Sequence, residues 1–480
     1  MKKLILSIIT TVFMIGSQSF AANILEEKTM TDLINQDRLV QSFVRYVKID
    51  TGSDQEMAEK QIPSTDKQRN LANLLAQELK ELGLQNINID KHSVVTAILP
   101  SNTNEQMPII ALFAHLDTSS DVLTGPVNPQ IHNYKGGDII LKNNVVIKSE
   151  DLKDEIGHKI ITSDGTTLLG ADDKSGIAEI METLAVLVEN PSIKRPEIKV
   201  AFTPDEETGL GMTIFDVENY EADVAYTVDG GAPQELDTET FNAFNPEITI
   251  TGKMVHCGYA YGKMINALEL ANEFISKLPK DETPATTKGR QGYFFVDEIN
   301  GTAEKVTIKM LVRDFDLNKA KERIAFLEKT LKQIEKENKG CVITFEPKQR
   351  YLNMKENLNK FPEVITFAEE GIKRSGLTPI QNSVRGGTDG SALTLRGLLT
   401  PNLGAGGVNF HSQTEFVSAE TMAKCTENVL NILCIWAEKA PEIMPKILKR
   451  RKWFHIKNLL NFENFIEFSK KKEYKKNAHT

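Results

Sequence analysis

Apolar residues recur every three to four positions over residues 32–48 and 65–82, the period of a helix that buries one face, and Gly83 supplies a stop for the second. Four short apolar runs follow, at 94–99, 109–114, 198–202 and 224–228, each the length of a strand buried on both faces. Between the second and third, residues 175–188 return to the helical period. Strands alternating with helices predict an α/β domain on a mixed, largely parallel sheet.

The texture changes near residue 246. Alternating, strand-like segments at 247–251, 305–312 and 342–346 accompany helical stretches at 266–278 and 317–338. The order strand, helix, strand, strand, helix, strand predicts a ferredoxin-like α+β domain, and the pattern locates three of its four strands. Residues 354–362 read as a polar return linker, after which a helix at 363–375 and the segment up to 436 rejoin the first domain. The expected organisation is a discontinuous first domain (23–245 and 360–440), an inserted domain (246–359), and appendages at 1–22 and 441–480.

A chain of 480 residues exceeds one ordinary core, and 40% hydrophobic with 26% charged residues is usual for a soluble globular protein. No run approaches the roughly 20 apolar residues that span a bilayer. Lys2 and Lys3 precede an apolar run over residues 4–16, with Ser19 and Ala21 where a signal peptidase reads. Residues 1–22 therefore predict a secretory signal and an exported protein, periplasmic or extracellular; if the signal is unused, the protein stays in the cytoplasm. From residue 446 onward eleven Lys or Arg face three Glu, a charge of +8, which leaves −17 for the rest of a chain whose net charge is −9. This basic, aromatic tail suits either a solvated extension or a weak membrane-surface contact. Nucleic-acid binding is not expected. Cys257, Cys341, Cys425 and Cys434 are too few and too scattered for a disulfide framework or a structural zinc site, and they read as buried thiols.

Candidate chemistry sits at the ends of the predicted strands. "IIALFAHLDTS" delivers His115 and Asp117, "IKVAFTPDEETG" delivers Glu206 and Glu207, and "VAYTVDGG" delivers Asp229. In open α/β sheets such turns meet in the crevice beyond the carboxyl ends of the strands. "LLGADDKSGIAEIM" places Asp172 and Asp173 on a glycine-flanked turn into a helix, and "GVNFHSQTEF" adds His411. Each piece alone is an ordinary turn or cap; together, two histidines and several carboxylates suit zinc or a similar divalent ion. Two such ions about 3.5–4 Å apart need a shared carboxylate between them, and a further carboxylate must stay off the metals to move protons.

These segments, with "GKMINA", "VRDFD" and "VRGGTDGSAL", occur in the order found in the peptidase T family, tripeptide aminopeptidases among the co-catalytic dizinc exopeptidases related to carboxypeptidase G2, which this chain resembles from about residue 33 to 436. The resemblance implies two Zn²⁺ per subunit, with Co²⁺ or Mn²⁺ as substitutes. It gives His115 and Asp229 to one ion, Glu207 and His411 to the other, and Asp172 to both. Asp117 becomes the orienting carboxylate and Glu206 the general base and acid in the removal of the N-terminal residue from short peptides, tripeptides above all. The inserted domain becomes a lid and homodimerisation module whose His256 stabilises the developing oxyanion, in reach of the partner subunit's site. Where the family has His-Pro-Gly-Thr, this chain reads His256, Cys257, Gly258, Tyr259. Arg313 and Arg385 match positions suited to a peptide's terminal carboxylate, or to structural ion pairs with Asp314 and Asp389. The competing readings are a dizinc dipeptidase or amide deacylase, and an inactive peptide-binding homologue.

Overall fold

A computed structural model of the chain describes residues 29–452. Its centre is an eight-stranded mixed sheet in the spatial order Gln85–Ile89, Val95–Leu99, Ile198–Thr203, Ile110–His115, Val224–Gly230, Asn402–Gly404, Glu235–Thr240, Ile380–Val384. The middle four, from Ile198–Thr203 to Asn402–Gly404, run parallel. Strand Ile110–His115 is buried at all six positions because helices cover both faces of the sheet. Its Ile110, Leu112 and Ala114 pack into the main core, and Ala111 and Phe113 into a smaller core on the other face.

Helices Gln36–Val47, Ala171–Glu189 and Ala419–Glu438 supply the main core. Trp436 is fully buried there, and its indole N–H donates to the Tyr226 hydroxyl at 2.9 Å, which donates in turn to the Val364 carbonyl at 2.8 Å. Truncating such a ring typically costs about 3–5 kcal/mol. Gly176 lets the Ala171–Glu189 helix approach the sheet. A Cβ at that position would meet the Val228 carbonyl oxygen at 1.8 Å, so only glycine fits beside the strand that carries Asp229.

The second domain has its own antiparallel sheet, ordered Tyr293–Gly301, Lys305–Asp314, Asn242–Thr251, Val342–Tyr351, with helices Ala267–Ser276 and Leu317–Glu337 and a separate core around Ile248, Phe274, Ile308 and Leu331. This is the expected ferredoxin-like arrangement. The strand that the pattern did not locate, Tyr293–Gly301, is an edge strand exposed at most positions.

Three expectations need correction. Residues 354–362 are no polar linker: Met354, Leu358 and Phe361 are buried in the main core around a short helix, Lys355–Leu358. Residues 440–452 are helical, with Ile443, Met444 and Ile447 in the same core, Arg451 paired with Asp223, and the Arg450 guanidinium 4.7 Å from the Phe361 ring centroid. The start of the basic tail is thus docked on the body; Trp453 and everything after it, like residues 1–22, lie outside the described residues. All four cysteines are free, but Cys257 is exposed, because it sits in a short turn beyond the second domain's sheet. Among the described residues no helix is long and apolar enough to cross a membrane.

Candidate metal centre

Three adjacent parallel strands deliver side chains to one end of the central sheet. His115 closes Ile110–His115, Glu206 and Glu207 follow Ile198–Thr203, and Asp229 lies near the end of Val224–Gly230. Asp172 enters from the start of the Ala171–Glu189 helix, where Gly170 adopts a left-handed φ of 80°. His411 lies between strands Gly407–Val408 and Phe416–Ser418 of a small antiparallel sheet.

The two oxygens of Asp172 face different histidines. Oδ1 lies 2.8 Å from His115 Nε2, and Oδ2 lies 3.4 Å from His411 Nε2. Asp229 Oδ1 is 3.5 Å from His115 Nε2, and Glu207 Oε2 is 2.9 Å from His411 Nε2. His115, Asp172 and Glu207 form one group of donor atoms close enough to hold an ion; His115, Asp173 and Asp229 form another. Asp173 therefore competes with Asp172 for a ligand role. Its Oδ2, however, accepts the His115 backbone N–H at 3.1 Å, and the residue is fully buried, so it braces the strand end while Asp172 faces both histidines.

The electrostatics fit a cation site. Burial, followed by the Asp172 charge, pushes Glu207 up to about 8. Burial likewise lifts Asp229 to about 6, Asp389 to about 7 and Glu206 well above the usual carboxylate range. Burial works against charge on His115, yet Asp229, Asp117 and Asp172 raise its proton affinity well above normal. His411 rises to about 11 through its hydrogen bonds to Asp172 and Glu207. Glu207 Oε1 and Asp173 Oδ1 are buried without a hydrogen-bond partner. Without a metal, protons supply the positive charge that the carboxylates require.

This has a measurable consequence. A carboxyl whose pKa is raised on folding stabilises the metal-free protein below its folded value and loses that contribution as pH rises through it, so metal-free stability should fall between about pH 4 and pH 8. The raised histidines act in the same direction above about pH 6.5. Metal binding should release protons, and calorimetry near pH 7 in two buffers of different ionisation enthalpy should give clearly different heats. Equal heats would mean that these carboxyls are not the ligands.

The surrounding residues hold the donors in place. Asp117, fully buried, accepts the backbone N–H of Glu206 at 3.0 Å and of Glu207 at 3.2 Å, while its carbonyl lies 3.0 Å from His115 Nδ1. Asp205, left-handed at φ 57°, accepts from the Ser64 N–H at 2.6 Å and the Gln68 amide at 2.7 Å, anchoring the same turn. Two residues escaped the sequence reading. Glu415 accepts the N–H groups of Leu169, Gly170 and Asp172 at 2.8, 2.8 and 3.0 Å, clamping the loop that carries Asp172. Asp121 Oδ2 lies 2.8 Å from His411 Nδ1 and orients that ring from behind. Their only sequence signal was position, six residues after His115 and four after His411.

The remaining three predicted site residues lie apart from this cluster's contacts. His256 is exposed, with its Nδ1 accepting the Gly258 N–H at 3.1 Å. Arg313 is buried and donates to the carbonyls of Phe244 and Val312 and to Asn245 Oδ1; Asp314 pairs instead with Arg323. Arg385 donates to the carbonyls of Gly289 and Gln291 and to Thr287 Oγ1, fastening the second domain to the first.

Residues 238–339 match the peptidase dimerisation domain of the M20 family. Over 401 residues the chain is 44% identical to Peptidase T of Clostridium perfringens, covering 83% of this chain and 98% of that one. Over 414 residues it is 42% identical to Peptidase T of Bacillus pumilus, covering 84% and 100%. Among solved structures, the aminopeptidase PepT of Bacillus cereus superposes with a TM-score of 0.67 at 24% identity, over 84% of this chain and all of the other. A dinuclear metal-binding M20 peptidase of Bacillus subtilis shares the fold, with a TM-score of 0.57 at 14% identity, over 84% and 98%. The expectation of export is overturned by these relatives, since Peptidase T is a cytoplasmic enzyme. Nor does any comparison support contact of the tail with a membrane. With 44% identity across nearly the full length of such a relative, this chain belongs to the peptidase T family of M20 metallopeptidases.

Proposed function

We propose that this chain is a metal-dependent aminopeptidase that hydrolyses the N-terminal residue from short peptides, tripeptides above all. The observation that carries the reading is the division of Asp172's two oxygens between His115 and His411, with Glu206 half-buried nearby. His115 and Asp229 would hold one divalent ion, Glu207 and His411 the other, and Asp172 both. We assign zinc, with cobalt or manganese as substitutes. When bound, the ions supply Lewis acidity to the scissile carbonyl and lower the proton affinity of water.

The chain's own residues do the rest. The Glu206 carboxylate accepts no hydrogen bond among the described residues, which leaves it free to take a proton from the attacking water and hand it to the leaving amine. Asp117 holds that residue's backbone and its neighbour's, fixing the base relative to the ligands. The dimerisation-domain match supports a homodimer, and Ile299, 49% exposed on the edge strand Tyr293–Gly301, offers apolar surface for one. Exposed His256 is then assigned to oxyanion stabilisation in the partner subunit.

Substrate class is tested by comparing a free-amine tripeptide with a dipeptide and an N-acetyl amino acid. The tripeptide should give the highest kcat/KM, by about tenfold or more, a difference of about 1.4 kcal/mol in transition-state stabilisation. A preference for the N-acetyl amino acid would point to a deacylase and contradict the reading.

A further inference from the structure

Lys253 and Ile265 exchange backbone hydrogen bonds at 2.8 and 2.9 Å, which pinches residues 253–265 into a closed loop between strand Asn242–Thr251 and helix Ala267–Ser276. Within it the Tyr259 N–H donates to the His256 carbonyl at 2.8 Å, and the Lys263 and Met264 N–H groups donate to the Ala260 carbonyl at 2.9 and 3.0 Å. The loop is thus held by its own backbone, yet it turns its largest side chains outward. Tyr259 is 75% exposed, Tyr261 fully exposed and Met254 45% exposed. Such a concentration of aromatic and apolar groups in water on one fixed turn marks a contact surface.

Three observations commit that surface to a second copy of the chain. The loop lies inside residues 238–339, the segment that matches the dimerisation domain. Its charge is complementary to the metal-centre end of the molecule: residues 252–268 hold Lys253 and Lys263 and no carboxylate, whereas the rim beside His411 presents the largely exposed Asp121. Finally, the rings of His256 and Tyr259 touch, with centroids 5.4 Å apart and planes inclined by 47°, so the surface that receives one receives the other. A ring in contact with His256 comes within one side chain of the carbonyl that His256 attends.

We propose that Tyr259 of each subunit forms a wall of the partner subunit's peptide site and favours a large apolar side chain next to the scissile bond. The proposal rests on the aminopeptidase reading and on the service of His256 across the dimer, and it adds a specificity-determining residue to both. Tyrosine suits the task, because it offers a broad, rigid contact area with little side-chain freedom to lose. The threonine of the family's His-Pro-Gly-Thr offers no such area, so the preference belongs to the His256, Cys257, Gly258, Tyr259 version of the turn.

The test compares kcat/KM of the metal-loaded enzyme for trialanine and for tripeptides with leucine at the first or the second position. The wild type should favour leucine over alanine at one of these positions by about tenfold. Tyr259→Thr should lose that preference and keep turnover of trialanine within about twofold, while Tyr259→Phe, which retains the ring, should keep the preference. Tyr259 is mostly exposed, so both variants are expected to fold, which a thermal melt checks. Mixed dimers of differently tagged Tyr259→Thr and Glu206→Gln chains then separate the two geometries. Their one working base lies in the Tyr259→Thr chain, whose site receives Tyr259 from the Glu206→Gln chain, so the leucine preference should return. A wild type indifferent to leucine, a Tyr259→Thr variant that keeps the preference, or a mixed dimer that lacks it would overturn the proposal while leaving the peptidase intact. Absence of turnover on any peptide would overturn the aminopeptidase reading itself.

Discussion

Glu206→Gln is expected to lower kcat by about 10²–10⁴-fold while the protein still binds two metal ions per chain. The amide is nearly the same shape as the carboxylate, so the turn that Asp117 and Asp205 hold through backbone N–H groups has no reason to move. What it loses is a group that can accept a proton. KM should change little, because the side chain is assigned to proton transfer and to no binding contact. Metal analysis beside steady-state kinetics checks both halves, and a variant with near-normal kcat would remove Glu206 as the base.

Asp172→Ala should act on metal instead. Among the described residues Asp172 is the one carboxylate whose two oxygens face His115 and His411 separately, so its loss is expected to leave at most one tightly held ion and to lower activity by at least about 10³-fold. The loop itself should persist, since Glu415 grips it through backbone N–H groups that alanine retains. Asp173→Asn is the control. Its Oδ2 bonds to backbone, so that variant should lose stability before metal. If Asp173→Asn emptied the site and Asp172→Ala did not, the bridging role would pass to Asp173.

The sequence was most readable where burial is complete. Ile110–His115 and Ile198–Thr203 are almost wholly apolar because helices cover both faces, and their abrupt polar ends mark the His115 and Glu206 turns. Edge strands were not readable. Gln85–Ile89 and Ile380–Val384 are largely polar and exposed, so no continuous apolar run distinguishes them from loops. Residues 440–452 misled for a related reason. The buried Ile443, Met444 and Ile447 are outnumbered by lysines and arginines whose charged ends reach solvent or partners, as Arg451 does with Asp223. Asp121 and Glu415 act across gaps in sequence of 290 and 243 residues or more, and no local pattern records such a contact. The leader-like N-terminus shows the opposite hazard, a compositional signal that kinship overturned.

The central claim, two cooperating metal ions at Asp172 with Glu206 as the base, is tested most directly by titrating metal into chelator-stripped protein while following tripeptide hydrolysis. Activity should be absent without metal and should reach its maximum as occupancy approaches two ions per chain. Hydrolysis that survives complete metal removal would contradict it.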